Sequence, residues 1–224
     1  MVGATVRITR RTWLQWGIAH CSAIALGAGT AGASAKQAGP VVLVVGDSLS
    51  AEYGLPRGAG WVALLEQRLA TRRIVARVVN ASISGDTTAG GRSRLPALLA
   101  QHRPSHVILE LGGNDALRGL PLATTEANLM AMTQAAKAAG AKVLITGMQV
   151  PPNYGRRYGE DFAALFKRVA DAEGAALVPF LLAGVADGPD AEALFQRDRI
   201  HPTAEAHPRI LDNVWPVLQP LLES

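Results

Sequence analysis

Cysteine is almost absent from the sequence: among 224 residues the only one is Cys21. It lies in an apolar N-terminal stretch, and Ile18-Ala19-His20 before it lack the small-residue run expected ahead of a lipoprotein cysteine. The chain beyond this stretch therefore offers no disulfide, no thiol nucleophile and no cysteine metal ligand. Its stability has to come from a buried core, and about 190 residues are enough to form one.

Aromatic residues and net charge are also scarce, which argues against a nucleic-acid partner. Aromatics make up 5% of the residues, and there is no run of like charge and no basic stripe. Three arginines, Arg7, Arg10 and Arg11, account for most of the formal net charge of +4. Removing them from the 22 Lys and Arg leaves 19 against 18 Asp and Glu, so the rest of the chain is nearly neutral.

The first 35 residues have the pattern of an export signal. Arginines come first, an uncharged and mostly apolar stretch follows at 13–29, and Ala33-Ser34-Ala35 forms an A-x-A cleavage pattern. Cleavage two residues earlier is an alternative, as is a membrane span, although glycines and polar residues interrupt the stretch. Arg10-Arg11 fits a twin-arginine signal as well as the general secretory route. We expect a signal at 1–35, one domain at 36–224, and a periplasmic or secreted protein.

Continuous apolar runs alternate with helical periodicity, which is typical of β-α units that form a parallel sheet. Strands are predicted at Val41–Val45, Ile74–Asn80, His106–Leu111, Lys142–Thr146 and Ala176–Pro179. Helices are predicted at Gly60–Ala70, Thr88–His102, Thr124–Ala139, Tyr158–Glu173 and from after Pro202 toward Leu222, with kinks or breaks at Pro208 and Pro216. Right-handed crossovers then give one α/β domain, a flavodoxin-like three-layer αβα sandwich with a five-stranded parallel sheet.

Small and polar residues follow the first three predicted strands. They are Gly46-Asp47-Ser48, then the segment 81–86, then Gly112-Gly113-Asn114-Asp115. Ligands of open parallel sheets bind beyond the carboxyl ends of the strands, where these segments would meet. The sequence therefore predicts a site at this edge.

Acyl transfer needs a nucleophile, a base, a group that orients the base, and donors for the oxyanion. Ser48 is the candidate nucleophile because it leaves a buried strand, although a turn or helix-cap role would also suit it. His201 is the candidate base, since Asp198 three residues earlier can reach its Nδ1 and leave Nε2 for the serine. Asp47 is expected to brace the loop.

The other histidines fit the base role less well. His102 and His106 flank the start of the third strand, at the opposite edge of the sheet, and are expected at the surface. His207 has no acid three residues before it and would lie on a different helix face from His201. The candidate oxyanion donors are the amides of Ser48 and Gly85 and the side chain of Asn114, each worth roughly 3 kcal/mol in a transition state.

These segments resemble the four sequence blocks of the SGNH (GDSL) hydrolase superfamily. The blocks are Gly46-Asp47-Ser48-Leu49-Ser50, Ser84-Gly85-Asp86, Gly112-Gly113-Asn114-Asp115 and Asp198-x-x-His201-Pro202. Within the superfamily, three longer segments are similar to the bacterial periplasmic thioesterases that are also lysophospholipases and arylesterases. These segments are VVNASISGDTTAGGRSRLPALLAQHRP, LELGGNDALRGLP and PPNYGRRYGEDF. The similarity spans residues 41–220.

The resemblance implies a serine esterase and thioesterase that works through an acyl-enzyme. It implies the triad Ser48, Asp198 and His201, the oxyanion hole Ser48, Gly85 and Asn114, and no metal or organic cofactor. Arylesters, lysophospholipids and acyl-CoA are the implied substrates. We expect a small-molecule acyl ester or thioester as the partner, no nucleic acid, no membrane span in the mature chain, and a monomer.

Apolar residues after the third and fourth strands are candidates for acyl-chain binding, although loop packing would also explain them. They are Leu111, Leu117, Leu120, Pro121, Pro152 and Tyr154. The loop after Gly112-Gly113-Asn114-Asp115 binds acyl chains in relatives, which favours Leu117 and Leu120.

Two positions depart from the close pattern. Glu52 stands where relatives commonly have a small residue, and either disfavours anionic substrates or is a solvated carboxylate, which we favour. Arg199 could add positive charge to the rim of the predicted site.

Two rival functions remain open: a deacetylase or acyltransferase acting on envelope carbohydrate, and a non-catalytic flavodoxin-like binding module. The first would need a shorter, more polar cleft, and the second would usually lack one of the catalytic residues.

Overall fold

Strands and helices alternate along residues 39–223, the part of the chain that the computed structural model describes. The strands are β1 (Val41–Gly46), β2 (Arg77–Asn80), β3 (His106–Glu110), β4 (Lys142–Thr146) and β5 (Ala176–Val178). The helices are α1 (Trp61–Thr71), α2 (Thr88–His102), α3 (Gly113–Leu117), α4 (Leu122–Ala138), α5 (Arg156–Glu173) and α6 (His207–Glu223). The predicted signal and its cleavage site lie outside the described residues.

All neighbouring strands pair in parallel, in the order β2-β1-β3-β4-β5. Val44 of β1 is in register with Asn80 of β2, and Gly46 is in register with Glu110 of β3. The segments that follow β1, β2 and β3 consequently lie side by side at one edge of the sheet. The predicted flavodoxin-like α/β fold is confirmed.

Helices cover both faces of the sheet and bury its strands. Helices α1 and α6 pack together on one face, and α2, α4 and α5 pack side by side on the other. The strand segment 42–45 is completely inaccessible to solvent, which explains why β1 is a continuous apolar run instead of an alternating one. Within residues 39–223 no helix has the length and hydropathy to cross a membrane.

Strand β2 begins three residues later than predicted. The Arg77 amide donates to the Pro40 carbonyl, and pairing with β1 begins at Val41. Strand β2 is an edge strand, so it can extend only as far as β1 provides partners. Residues 74–76 precede that pairing and are not part of the ladder.

The last helix also differs from the prediction. Helix α6 begins at His207, after a short 3-10 helix at Ala204–Ala206, and not directly after Pro202. Pro208 lies in its first turn, where a missing N–H needs no partner. The helix continues past Pro216 and Pro220, so neither proline ends it.

Candidate active site

The turn after β1 delivers Ser48 to the edge of the sheet. The amides of Ser50 and Ala51 both donate to the Asp47 carbonyl, at 3.3 and 2.9 Å, which closes a tight turn around the serine. Asp47 and Ser50 are buried, while Ser48 is partly exposed. The serine is therefore the residue of this turn that a ligand can reach.

Ser48, His201 and Asp198 form a continuous hydrogen-bonded chain. The Ser48 Oγ lies 2.8 Å from His201 Nε2, and His201 Nδ1 lies 2.7 Å from Asp198 Oδ2. Serine and histidine are 153 residues apart in sequence, whereas the acid is only three residues from the histidine. This is the geometry of a nucleophile, a base and an orienting acid.

A turn, and not a helix, brings Asp198 to His201. The Asp198 Oδ1 accepts from the amides of Ile200 and His201 at 2.9 and 3.0 Å, which leaves Oδ2 for the imidazole. Partial desolvation opposes ionisation, but the hydrogen bonds from the His201 side chain and from the two amides outweigh it. They lower the pKa of Asp198 to about 2, so the carboxylate stays charged at any ordinary pH.

A loop between β1 and α1 packs against the histidine. The Tyr53 ring centroid lies 4.2 Å from that of His201, with the ring planes inclined by 36°. Gln196 Nε2 donates to the carbonyls of Tyr53 and Pro202, at 2.9 and 3.0 Å, and so connects this loop to the segment that carries the histidine. Neither Tyr53 nor Gln196 was predicted, because local sequence patterns do not indicate contacts between segments this far apart.

Three groups at the sheet edge can act as oxyanion donors. The amides of Ser48 and Gly85 donate to no other group in the described part of the chain. Gly85 has φ +78°, a conformation that favours glycine. Asn114 Nδ2 donates to Asp47 Oδ2 at 2.9 Å, which fixes the amide plane and leaves its second hydrogen free for a ligand.

Asp47 is the brace that the sequence predicted. Its Oδ1 accepts from the Leu49 amide at 3.0 Å while its Oδ2 holds Asn114. Burial raises the pKa of Asp47 to about 6, and these two hydrogen bonds limit the rise. The side chain therefore connects the nucleophile turn to the third strand's loop.

The loop after β3 is anchored by Asp115. Gly112 has φ +122°, which makes the sharp turn that starts α3 and points Asn114 toward the site. The buried Asp115 carboxylate accepts from the amide and hydroxyl of Thr88, at the start of α2, and from Thr125 of α4. Helix α3, which was not predicted, is thus held by two longer helices.

Two arginines contact the glycine-containing turns. Arg94 of α2 pairs with Asp86 at 2.8 Å and also donates to the carbonyls of Ala81 and Gly46. Arg118 donates to the Gly85 carbonyl at 2.8 Å. Neither was predicted, because arginines in helices and loops give no local signal of such contacts.

The remaining histidines lie away from the serine. His106 starts β3 at the opposite edge, as predicted, but it is buried and not at the surface: it bonds to Ser105 Oγ and to the Leu221 carbonyl. His102, at the end of α2, is partly exposed. His207 is buried, and its Nδ1 accepts from the Trp61 amide at 3.0 Å, which caps the start of α1. Burial lowers the pKa of His207 to about 4.

Both positions that depart from the close pattern form polar contacts within the chain. Glu52, at φ +59°, accepts from the amides of Gly58 and Gly60 and organises the loop before α1, so it is not the solvated carboxylate that we favoured. Arg199 is exposed and pairs with Glu192 at 3.2 Å.

The candidate acyl-binding residues do not all reach the surface. Leu111 was expected to contact substrate, but it is completely buried in the core, because it immediately follows the buried strand β3. The others are exposed or partly exposed: Leu117, Leu120, Pro121, Pro152 and Tyr154.

Within residues 39–223 no group of three or more His, Cys, Asp or Glu side chains is arranged to hold a metal ion.

Comparison with known proteins identifies a matching family and similar relatives. Residues 44–209 match the model of the GDSL-like Lipase/Acylhydrolase family. The chain is 56% identical to Esterase TesA of Pseudomonas aeruginosa over 187 residues, 84% of this chain and 92% of that protein. It is 44% identical over 185 residues to the Escherichia coli K12 protein "Thioesterase 1/protease 1/lysophospholipase L1", 83% of this chain and 86% of that one.

A solved esterase structure has a similar fold. The fold superposes with a TM-score of 0.77 on the psychrotrophic esterase EstA from Pseudoalteromonas sp., solved inhibited by monoethylphosphonate. The two sequences are 38% identical, and the match covers 82% of this chain and 99% of that one.

Proposed function

Because this chain belongs to the GDSL-like lipase/acylhydrolase family and is an ester and thioester hydrolase, we propose that it works through an acyl-enzyme formed on Ser48. His201 is the general base, and Asp198 holds its imidazole. The observation that carries this proposal is the hydrogen-bonded chain from Ser48 Oγ through His201 to Asp198 Oδ2.

The reaction has two halves. Ser48 Oγ attacks the substrate carbonyl carbon while its proton moves to His201 Nε2, and the same proton then goes to the departing alcohol or thiol. A water molecule repeats the sequence on the acyl-enzyme and releases the acid. In both halves the negative charge on the carbonyl oxygen is stabilised by the amides of Ser48 and Gly85 and by Asn114 Nδ2.

Exposed apolar side chains in the segments that carry the site residues support acyl chains of medium to long length as substrates. Among the described residues, four of the five large apolar side chains that are exposed adjoin site segments. These four, Tyr53, Ile83, Leu117 and Ile200, are here named the apolar rim; the fifth, Val75, precedes β2 at the opposite edge. A buried methylene contributes about 0.8 kcal/mol, so a chain that covers the rim is bound more tightly than an acetyl group.

Substitution of the nucleophile tests the mechanism. Hydrolysis of p-nitrophenyl esters of two to sixteen carbons is measured for the wild type, for Ser48→Ala, and for Ser93→Ala, which removes an exposed hydroxyl on α2. We expect Ser48→Ala to lose at least about 10³-fold in kcat and Ser93→Ala to match the wild type. Undiminished turnover by Ser48→Ala would exclude Ser48 as the nucleophile. A preference of the wild type for acetyl esters would favour the carbohydrate deacetylase.

The apolar rim is tested with the same esters. Leu117→Ser should lower kcat/KM for long acyl chains by about tenfold while leaving the acetyl ester unchanged, because we expect a long chain, and not an acetyl group, to cover Leu117. Val75→Ser is the matched control and should behave as the wild type. Equal losses at every chain length would contradict a role in acyl binding.

We propose in addition that the chain is exported and acts as a monomer. The arginines, the apolar stretch and Ala33-Ser34-Ala35 support a cleaved signal. N-terminal sequencing of the protein from the periplasmic fraction should begin at Lys36; an intact N-terminus would refute cleavage. Light scattering should give the mass of one chain.

A further inference from the structure

Glu110 ends β3 as a fully buried carboxyl group directly behind the nucleophile turn. Its Oε2 accepts from the Ser50 hydroxyl at 2.7 Å and from the Asp47 amide at 3.2 Å. Its Oε1 has no hydrogen-bond partner, and no ion pair within residues 39–223 reaches the group. An ionised carboxylate without a cation is very costly to bury, whereas a protonated carboxyl group costs much less.

The surroundings of Glu110 are shaped to fit its carboxyl group. A Cβ on Gly46, the residue in register with it on β1, would lie 2.7 Å from Glu110 Oε2 and 2.8 Å from Ser50 Oγ. Trp61 Nε1 donates to Ser50 Oγ at 3.2 Å, so the Ser50 hydroxyl directs its own proton at Glu110. Glycine at position 46 thus makes room for the carboxyl group that holds the turn.

The same carboxyl group lies beside a second acid that has to be charged. Both Asp47 oxygens accept hydrogen bonds, from the Leu49 amide and from Asn114, which favours the ionised form. Burial, followed by the negative charge of Asp47, raises the pKa of Glu110 well above its usual range. Of the two neighbouring acids, Glu110 is therefore the one on which a proton is more stable.

We propose that Glu110 is a positioning residue that acts as a neutral carboxylic acid. It holds the turn through the Asp47 amide and the Ser50 hydroxyl, and so sets the positions of Ser48 and of the Asp47 carboxylate that orients Asn114. The inference rests on the proposed acyl-enzyme mechanism. Glu110 acts from behind the turn and does not contact the substrate.

Two substitutions of similar volume distinguish the neutral acid from a charged one. In Glu110→Gln the amide oxygen accepts from Ser50 and Asp47, and the NH₂ group replaces the protonated oxygen. We expect its kcat to stay within about threefold of the wild type. Glu110→Met fills the space but accepts nothing, and we expect its kcat to fall at least tenfold with KM changed less than threefold. Loss of kcat in Glu110→Gln as large as in Glu110→Met would overturn the neutral acid.

A matched control separates positioning from the loss of any buried polar group. Thr146, fully buried at the end of β4, bonds to the Leu109 carbonyl at 3.4 Å, and Thr146→Val should retain full kcat. If Glu110 acts through the oxyanion hole, the loss caused by Glu110→Met should shrink at least threefold in an Asn114→Ala background. Independent, multiplicative losses, or wild-type kcat in Glu110→Met, would overturn the inference.

Two further measurements cover misfolding and the mechanism itself. Thermal unfolding is followed for every variant, and if Glu110→Met is unfolded, Ser50→Ala removes one donor to the carboxyl group instead. Its kcat should fall about fivefold, and an unchanged kcat overturns the inference. Mass spectrometry of the wild type treated with a p-nitrophenyl alkylphosphonate, which releases p-nitrophenolate when a serine oxygen attacks the phosphorus, should find the adduct on Ser48. An adduct elsewhere would overturn the acyl-enzyme proposal, whereas an adduct on Ser48 together with a fully active Glu110→Met overturns only the role of Glu110.

Discussion

The ring of Tyr53 rests on the imidazole of His201, with 4.2 Å between their centroids, although the tyrosine is itself about half exposed. The contact limits the movement of a side chain that has to face Ser48 on one nitrogen and Asp198 on the other. It is a packing contact between two segments that are far apart in the chain.

Removing the Tyr53 ring should slow catalysis without unfolding the protein. An aromatic pair contributes about 0.5–1.5 kcal/mol, so we expect Tyr53→Ala to lower kcat by up to about tenfold. Tyr53→Phe should stay within about twofold of the wild type because the ring contact remains. Val75→Ala removes an exposed apolar side chain elsewhere and is the control. Equal kcat for Tyr53→Ala and the wild type would show that the ring does not restrain His201.

A methyl group at position 46 should destabilise the protein. The Cβ of Gly46→Ala would meet Glu110 Oε2 and Ser50 Oγ at under 3 Å, and overpacking of this kind costs about 1–3 kcal/mol in the free energy of unfolding. Gly159→Ala, within helix α5, is the matched control, because its Cβ would lie 3.6 Å from the Val150 side chain and would meet no closer atom. There alanine should stabilise by up to about 1 kcal/mol. Urea unfolding compares the two, and equal stabilities would contradict the crowding at Gly46.

His207 should make the fold sensitive to acid. Its folded pKa of about 4 lies below the unfolded value near 6.5, so its contribution is complete above pH 6.5 and is lost as the pH falls toward 4. Between pH 6.5 and 5 this amounts to roughly 2 kcal/mol. In His207→Asn the side-chain Oδ1 can accept from the Trp61 amide without titrating.

The measurement is the free energy of unfolding in urea from pH 8 to pH 5 for both proteins. The raised pKa values of Asp47 and Glu110 act in the opposite direction, with stability falling as the pH rises, and they are common to both proteins. The difference between the two curves therefore isolates His207. The His207→Asn variant should gain stability relative to the wild type below pH 6.5; parallel curves would refute the role of the histidine.

Arg94 should be irreplaceable even by lysine. Its guanidinium binds the Asp86 carboxylate and the carbonyls of Ala81 and Gly46, and a single ammonium group cannot reproduce this geometry. We expect Arg94→Lys to lower kcat about tenfold, because the turns after β1 and β2 lose their common support. Arg92→Lys, two residues away on α2, should match the wild type. If both lysine variants were equally active, Arg94 would not be needed to align the turns.

Local patterns in the sequence predicted the fold and the components of the site. The apolar runs predicted five strands, and the polar residues after three of them predicted the edge at which Ser48, Gly85 and Asn114 would meet. The spacing of Asp198 and His201 predicted their contact, because three residues are enough for a turn to close it. Each of these inferences depends on residues that are close in sequence.

Contacts between distant elements were not predictable in this way. From the sequence alone Glu110 is an ordinary strand residue, and only the pairing of β1 with β3 places Gly46 beside it. Arg94 likewise has the pattern of a solvated helix residue, and only the structure shows its three acceptors. Leu111 and His106 were misjudged for the same reason, since their burial depends on which helices cover the sheet.

Ser48 and His201 are far apart in the sequence, so ester hydrolysis also reports on whether the chain has folded completely. The serine lies in the turn after the first strand of the described chain, and its base arrives only with the segment that precedes the last helix. A growing or C-terminally truncated chain that lacks this segment contains the nucleophile but no base. The onset of ester hydrolysis during synthesis or refolding therefore marks the moment at which the last part of the chain docks.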